Sequence, residues 1–97
     1  MSNYIEHIGD YAFHKCANLQ TIQLSKNLKT IGAHAFHDCY RLKELIIPDT
    51  VTSIGYEICN NCYLLQNVYL SNALTRIPAG AFSDCVSLPS ITIPKNV

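Results

Sequence analysis

The chain has 97 residues, of which 48% are hydrophobic and 14% charged, and seven basic and seven acidic side chains give a formal net charge of zero. This composition is typical of one small globular domain and excludes a disordered chain. The charge balance offers no attraction to nucleic acid or to an anionic membrane surface, and no apolar run reaches the roughly 18 residues of a membrane span.

The first residues of the chain contain no basic segment followed by an apolar stretch, so no secretion signal is visible.

An Ile-Gly pair follows at Ile8 and returns at Ile31 and Ile54, 23 residues apart, with Ile77-Pro78 in the fourth copy. The other recurring positions are Phe13, Phe36, Cys59 and Phe82; Cys16, Cys39, Cys62 and Cys85; Leu19, Leu42, Leu65 and Leu88; Ile22, Leu45, Val68 and Ile91; Leu24, Ile47, Leu70 and Ile93; Ile5, Leu28, Val51, Leu74 and Val97. Such a period is the signature of a solenoid, in which stacked repeats bury a shared core. The prediction is one domain, 1–97, with repeats one to four at about 5–27, 28–50, 51–73 and 74–96.

Within each repeat, the segment after the recurring Gly differs from the segment after the recurring Leu. In repeat one, residues 9–16 have apolar side chains at 12, 13 and 16, a spacing that suits one or two helical turns. Asp10 is placed to cap the first turn, but the equivalent Ala33 and Tyr56 have no capping group. We therefore expect this outer layer to mix short helix and irregular coil.

The segments after the Leu positions alternate apolar and polar residues, which is the pattern of half-buried strands. The predicted strands lie near 21–25, 44–48, 67–71 and 90–94, and they should pair in parallel at about 4.8 Å. In the last of them, Pro89 and Pro94 remove backbone donors and blunt edge pairing.

Neither end of the chain has a polar capping segment, and Val97 is the first apolar position of a further repeat. We expect a slice of a longer array, or a short array whose ends associate end to end.

The string I-G-x-x-A-F-x-x-C-x-x-L-x-x-(I/L)-x-(L/I)-P, present from Ile31 to Pro48, resembles the BspA-like class of leucine-rich repeats over residues 5–97. The resemblance implies an α/β leucine-rich-repeat solenoid of the horseshoe type, with short parallel strands on the concave face and short helical or irregular segments on the convex face. It also implies a cell-surface or secreted module for adhesion or protein–protein contact, whose partner is a host protein, a matrix protein or a second copy. Two departures are Ile58-Cys59 in place of Ala-Phe, and Pro78 in place of Gly.

Four of the five cysteines occupy one inward row, and we interpret them as buried free thiols, since parallel Cβ vectors disfavour disulfides between repeats. The sequence Cys59-Asn60-Asn61-Cys62 is formally C-x-x-C, but it has no second C-x-x-C to complete a zinc site. The alternative is that Cys59 simply fills the phenylalanine position.

The histidines offer a weaker hypothesis of metal binding. His14 and His37 take equivalent outer positions with His34 close by, and stacked imidazoles bind metals in some proteins. Because the neighbouring cysteines point inward, we interpret these histidines as solvated surface groups and expect no metal and no cofactor. No triad, glycine-rich phosphate loop or carboxylate pair fits a catalytic template, so we expect no enzyme activity.

Solenoids of this kind usually bind through their concave face. The outward strand positions are Gln20, Lys43, Gln66 and Pro89; Thr21, Glu44, Asn67 and Ser90; Gln23, Ile46, Tyr69 and Thr92. Ile46 and Tyr69 are the apolar exceptions in neighbouring repeats, and Tyr is enriched at binding hot spots; ordinary exposed apolar area is the alternative. The predicted binding face is Lys43, Glu44, Ile46, Asn67 and Tyr69, and the alternative function is a structural spacer that self-associates.

Overall fold

The 23-residue period appears in the structure, a computed structural model describing residues 1–97, as a stack of coils joined by short parallel strands. The five strands are β1 (His7–Ile8), β2 (Thr30–Ile31), β3 (Glu44–Ile46), β4 (Ser53–Ile54) and β5 (Asn67–Tyr69). They form two parallel sheets, of order β1-β2-β4 and β3-β5. Every pairing has a 23-residue register, for example Ile31 with Ile54 and Leu45 with Val68, so equivalent positions lie on top of one another.

The β3-β5 sheet lies within two of the four predicted strand segments. The predictions for 21–25 and 90–94 are wrong, since neither segment forms a strand. In repeat four Pro89 removes one backbone hydrogen bond. Lys43 N–H donates to the Gln20 carbonyl and Gln66 N–H to the Lys43 carbonyl, each at 2.9 Å, but proline has no N–H with which to continue this series. Residues 21–25 have a neighbouring coil on one side only, and their backbone makes no ladder hydrogen bond.

The β1-β2-β4 sheet lies at the recurring Ile-Gly positions and was not predicted. Its ladder includes Gly32 N–H to Ile8 carbonyl and Gly55 N–H to Ile31 carbonyl, both 2.8 Å. A Cβ on Gly55 would fall on the backbone N and Cα of Ala33, so the missing side chain permits this close approach. The equivalent Pro78 has neither an N–H nor room for such an approach, and the sheet ends at β4.

The convex side contains no helix, so the helical part of the expectation for this layer is wrong and the irregular part is what forms. Its backbone N–H groups alternate between two kinds of acceptor. Tyr11 and Phe13 donate to carbonyls of the next coil, at Ala33 (3.0 Å) and Ala35 (2.8 Å), whereas His14 donates three residues back to the Tyr11 carbonyl at 3.0 Å. Asp10 contributes to the same link, because its Oδ1 accepts from Ala33 N–H at 2.9 Å and caps no helix.

Two columns of residues with positive φ interrupt every turn of this convex layer. They are Tyr11, His34, Glu57 and Gly80, and Lys15, Asp38, Asn61 and Asp84, with φ between 52° and 66°. Each repeat thus has two left-handed residues, four positions apart, and they stop a right-handed helix from propagating.

The core is one cluster of 20 buried residues lying between the two sheets and the convex turns. The leucine row shows the pattern: Leu42 and Leu65 are wholly buried in the inner repeats, whereas Leu19 and Leu88 in the outer repeats are half-buried. No helix in the chain has the length and apolar character that crossing a membrane requires.

Candidate functional site

The concave surface is built by the alternation of side chains along β3 and β5. Leu45 is wholly buried, while Glu44 and Ile46 on either side of it point outward. In β5 the outward residues are Asn67 and Tyr69. Ile46 and Tyr69 are paired in register and retain 54% and 47% of their accessible surface. All five residues of the predicted binding face are exposed, and β3 and β5 bring its four strand residues together.

Two depressions adjoin each other on this surface. One, of about 350 Å³, extends from β3 across β5 to residues 89–92, and the other, also about 350 Å³, extends from residues 21–26 to β3. Glu44 and Ile46 line both of them. The concave surface is therefore a shallow groove that crosses all four repeats, with Ile46 at its centre. We name it the concave groove.

Tyr69 is held in place by two residues that sequence reasoning missed. Its hydroxyl donates to Asp49 Oδ1 at 3.4 Å and accepts from Asn72 Nδ2 at 3.2 Å, and Asn72 N–H donates to Asp49 Oδ1 at 2.9 Å. Asp49 and Asn72 are 23 residues apart, so they meet through the stacking of coils. This spacing, at the turn after each strand, is the signal that could have found them. The network orients the phenol ring before any partner arrives, which reduces the entropy cost of binding.

A cationic depression lies at the opposite end of the strands. It has a volume of about 280 Å³ and is lined by Gln20, Arg41, Lys43 and Leu64. Arg41 and Lys43 are exposed and neither makes an ion pair, since the ion pairs of the structure all involve histidines. Lys43 is thus free to meet a partner, and Arg41 joins it there although sequence reasoning had not selected it.

The recurring cysteines form the predicted internal column of free thiols. Cys39, Cys62 and Cys85 are buried and Cys16 is half-buried. The thiols of the first three donate to carbonyls of the preceding coil at 3.0–3.1 Å; for Cys39 the acceptor is the Phe13 carbonyl. Burial raises the pKa of Cys39 to about 12 and that of Cys85 to about 11. Cys39 and Cys85 therefore fill space and link coils in their protonated form.

The C-x-x-C pair is part of the same core. Cys59 and Cys62 are both wholly buried, with Cys59 in the space where repeats one, two and four have phenylalanine. A hydrogen bond with Cys62, together with burial, raises the pKa of Cys59 well above its usual range. The same hydrogen bond lowers the pKa of Cys62. Their burial supports the interpretation of Cys59 as a substitute for phenylalanine.

The histidines form a cluster on the convex side, and the expectation that they are simply solvated is wrong. His34 stacks on Tyr11 with 4.6 Å between ring centroids, and its Nδ1 lies 3.1 Å from Nδ1 of His37. Two carboxylates flank the pair, with His34 Nε2 3.4 Å from Glu57 Oε2 and His37 Nε2 3.4 Å from Asp38 Oδ1. The convex turns bury these rings because successive coils stack them on one another.

The outer member of this cluster is His14, whose Nε2 lies 3.8 Å from Asp38 Oδ2. Its ring centroid is 5.1 Å from that of His37, in agreement with the predicted equivalence of the two positions. No three His, Cys, Asp or Glu side chains are arranged to hold a metal ion. Tyr40 and Tyr63 form a further pair between repeats, with 5.4 Å between stacked ring centroids.

Comparison with known proteins gives a consistent result. The family model described as "BspA type Leucine rich repeat region (6 copies)" matches residues 1–97. No curated protein matches the sequence. Among solved structures, a leucine rich cell surface protein of Faecalibacterium prausnitzii A2-165 is 34% identical, with a TM-score of 0.78 over 81% of this chain and 21% of its own length.

Two further solved structures resemble the chain. A leucine-rich repeat protein of Bacteroides ovatus is 30% identical, with a TM-score of 0.70 over 100% of this chain and 31% of its own length. The leucine-rich repeat protein of T. pallidum is 27% identical, with a TM-score of 0.79 over 93% of this chain and 53% of its own length. The chain therefore spans between about a fifth and about half of these relatives.

Proposed function

Since the chain belongs to the BspA-type leucine-rich repeat family, we propose that it is a non-catalytic, adhesive protein-binding module whose concave groove captures a partner protein. The contact residues are Lys43, Glu44, Ile46, Asn67 and Tyr69, and the four repeats act as one domain. The observation that carries the proposal is the exposed pair of Ile46 and Tyr69, in register on β3 and β5 between two adjoining depressions. A cell-surface location is part of the proposal, and the relative from F. prausnitzii is described as a cell surface protein.

The energetic argument rests on the two apolar side chains. Each leaves about half of its surface in water, and burying apolar surface yields about 25 cal/mol per Å². Tyr69 is oriented by Asp49 and Asn72 before binding, so little rotamer freedom is lost at that residue. Tyrosine is enriched at binding hot spots, and truncation of a hot-spot side chain costs roughly 2 kcal/mol or more.

The test compares variants of the groove with a matched control. Ile46→Ala with Tyr69→Ala removes the apolar pair, and Tyr56→Ala with Val86→Ala removes side chains of equal or greater exposure, 55% and 76%, that line neither depression. Surface plasmon resonance against purified extracellular-matrix proteins measures binding, and circular dichroism measures folding.

We expect at least tenfold weaker binding by the groove variant, with unchanged dichroism, and normal binding by the control. Binding by the groove variant as tight as that of the parent protein would eliminate the concave groove as the contact surface. A parent protein that binds no member of the panel would argue against the adhesive role.

A further inference from the structure

We propose that the concave groove and the adjoining depression of Arg41 and Lys43 together select an extended polypeptide segment with an acidic side chain and, about 10 Å further along, an aliphatic or aromatic side chain. The inference rests on the proposed function and specifies the chemistry of its partner. It follows from the different character of the two ends of β3 and β5.

The acidic side chain belongs at the start of the strands. Arg41 and Lys43 line one depression and have no counter-ion in the protein. A carboxylate entering this depression gains two charge-assisted contacts, and the Arg41 guanidinium can donate to both of its oxygens in bidentate geometry. Because both cations are already exposed, their desolvation costs little compared with that of a buried charge.

The apolar side chain belongs at the end of the strands. Lys43 directly precedes β3 and Ile46 ends it, and a rise of about 3.3 Å per residue separates them by about 10 Å along the strand. Ile46 and Tyr69 form the apolar surface there. The exposed carboxylate of Asp49 lies nearby and accepts hydrogen bonds only from the neutral Tyr69 hydroxyl and Asn72 N–H, so its negative charge disfavours an acidic side chain at this end.

Glu44 restricts where along the strands the acidic side chain of the segment can lie. It is exposed between Lys43 and Ile46 and lines both central depressions. A second acidic side chain at the centre of the groove would meet this like charge, and a continuous polyanion such as nucleic acid would meet it as well. Glu44 thereby keeps the acidic residue out of the centre of the groove. Arg41 and Lys43 supply two cations at their end, whereas Lys26 is the single cation that lines the central depressions.

The partner is an extended chain because the groove is shallow and its margins are rich in hydrogen-bonding side chains. Gln66, Asn67, Ser90 and Thr92 line the larger central depression. Amides and hydroxyls both donate and accept, so they match the N–H and C=O groups that an extended main chain presents.

The experiment uses a displayed library of random twelve-residue peptides as the probe, selected on the immobilised full chain and read by deep sequencing. The parent protein is compared with Arg41→Glu/Lys43→Glu, with Ile46→Ala/Tyr69→Ala, and with Lys15→Glu/Lys95→Glu. The last variant reverses two exposed charges that line none of the depressions. Circular dichroism verifies that each variant is folded.

We expect the parent pool to be enriched in Asp or Glu two to four positions from an aliphatic or aromatic residue. Reversal of Arg41 and Lys43 should exchange the acidic residue for Lys or Arg with at least a tenfold change in enrichment, and the Lys15/Lys95 control should leave the pool unchanged. A parent pool without acidic enrichment, or one that the Arg41/Lys43 reversal does not alter, overturns this inference.

The failure of the proposed function has a different signature. If the Ile46/Tyr69 variant selects the same pool as the parent protein, the groove is not the contact surface and both proposals fall. If that variant loses the pool but charge reversal has no effect, the groove binds protein and only the charge inference is wrong.

Discussion

The glycines at the Ile-Gly positions provide a test of coil stacking with opposite outcomes for chemically identical changes. At Gly55, an added methyl group would overlap backbone atoms of Ala33 and Gly32 in the preceding coil. At Gly9, the same methyl group meets nothing within 4 Å. Neither glycine has a positive φ, so the conformation of both suits alanine. Comparison of Gly55→Ala with Gly9→Ala therefore separates the steric effect of the close approach between coils from the effect of the lost backbone freedom of glycine.

The magnitude follows from which atoms obstruct the methyl group. Backbone cannot rotate away as a side chain does, so the coils must separate, and overpacking of this kind costs about 1–3 kcal/mol or more. Separation also lengthens the 2.8 Å bond from Gly55 N–H to the Ile31 carbonyl, at about 1 kcal/mol. Alanine also reduces the conformational freedom of the unfolded chain, which stabilises the folded state by about 0.4–1 kcal/mol. Gly55→Ala should thus cost about 2–3 kcal/mol, and Gly9→Ala should be neutral or stabilising by up to about 1 kcal/mol.

Thermal unfolding followed by circular dichroism measures the difference. A domain of this size loses about 4–8 °C of Tm per kcal/mol, so Gly55→Ala should lower the Tm by about 10–20 °C while Gly9→Ala leaves it unchanged or higher. Equal Tm values for the two variants would refute the argument that Gly55 is required by the close approach of successive coils.

Three further predictions concern the core and the links between coils. Leu42→Asp buries an unpaired charge at a wholly buried position, and urea unfolding should show a loss of several kcal/mol. Leu64→Asp, at a position that is 41% exposed, should cost about 0.5 kcal/mol or less. Equal stabilities of the two variants would contradict the burial of the leucine row. Burial raises the pKa of Cys39 to about 12 from a usual value of 9.0. Between these values the folded state holds more protons than the unfolded state, so the free energy of unfolding should fall as the pH rises above about 9. Cys39→Ala should show a shallower decline, and an unchanged slope would count against burial of Cys39 as the cause of the decline. Asp10→Ala removes the acceptor of Ala33 N–H and should cost about 1 kcal/mol. The control Glu6→Ala, at an exposed position with ordinary negative φ and no side-chain bond across coils, should change stability little. An effect of equal size in both would argue against the link.

The sequence predicts the stacking of coils because apolar periodicity reports directly on burial. Leu42 and Leu65, the cysteine column and the alternation around Leu45 all follow from the pattern. Hydrogen-bond partners are less visible in it. Residues 21–25 and 90–94 alternate like strands, but neither segment forms one, and Pro89 lacks the N–H that would continue the series from Gln20 through Lys43 and Gln66.

The convex layer shows why the helical expectation fails there. Apolar residues at 12, 13 and 16 suit a helical turn, and they equally suit a coil that turns at left-handed residues such as Tyr11 and Lys15. Side-chain spacing does not distinguish the two conformations. The distinction comes from the backbone donors, because every second N–H bonds to the next coil, as in the bond from Phe13 to Ala35, and so is not available to a helix.

The candidate site is predictable to the same extent. The alternation along β3 and β5 identifies Ile46 and Tyr69 as exposed. It does not reveal that Asp49 and Asn72 hold the Tyr69 ring, because that contact depends on the conformation of the turn after each strand. The histidine cluster is similar: positions 14 and 37 are visibly equivalent, but the placement of His34 against Tyr11 requires the folded turn.

The most direct test of the account is a set of methyl–methyl nuclear Overhauser effects measured on methyl-labelled protein in solution. We predict strong cross-peaks between residues 23 apart, namely Leu42 with Leu65, Leu28 with Val51, and Val51 with Leu74. Cross-peaks confined to residues three or four apart, without these long-range pairs, would contradict the stacking of coils on which the concave groove depends.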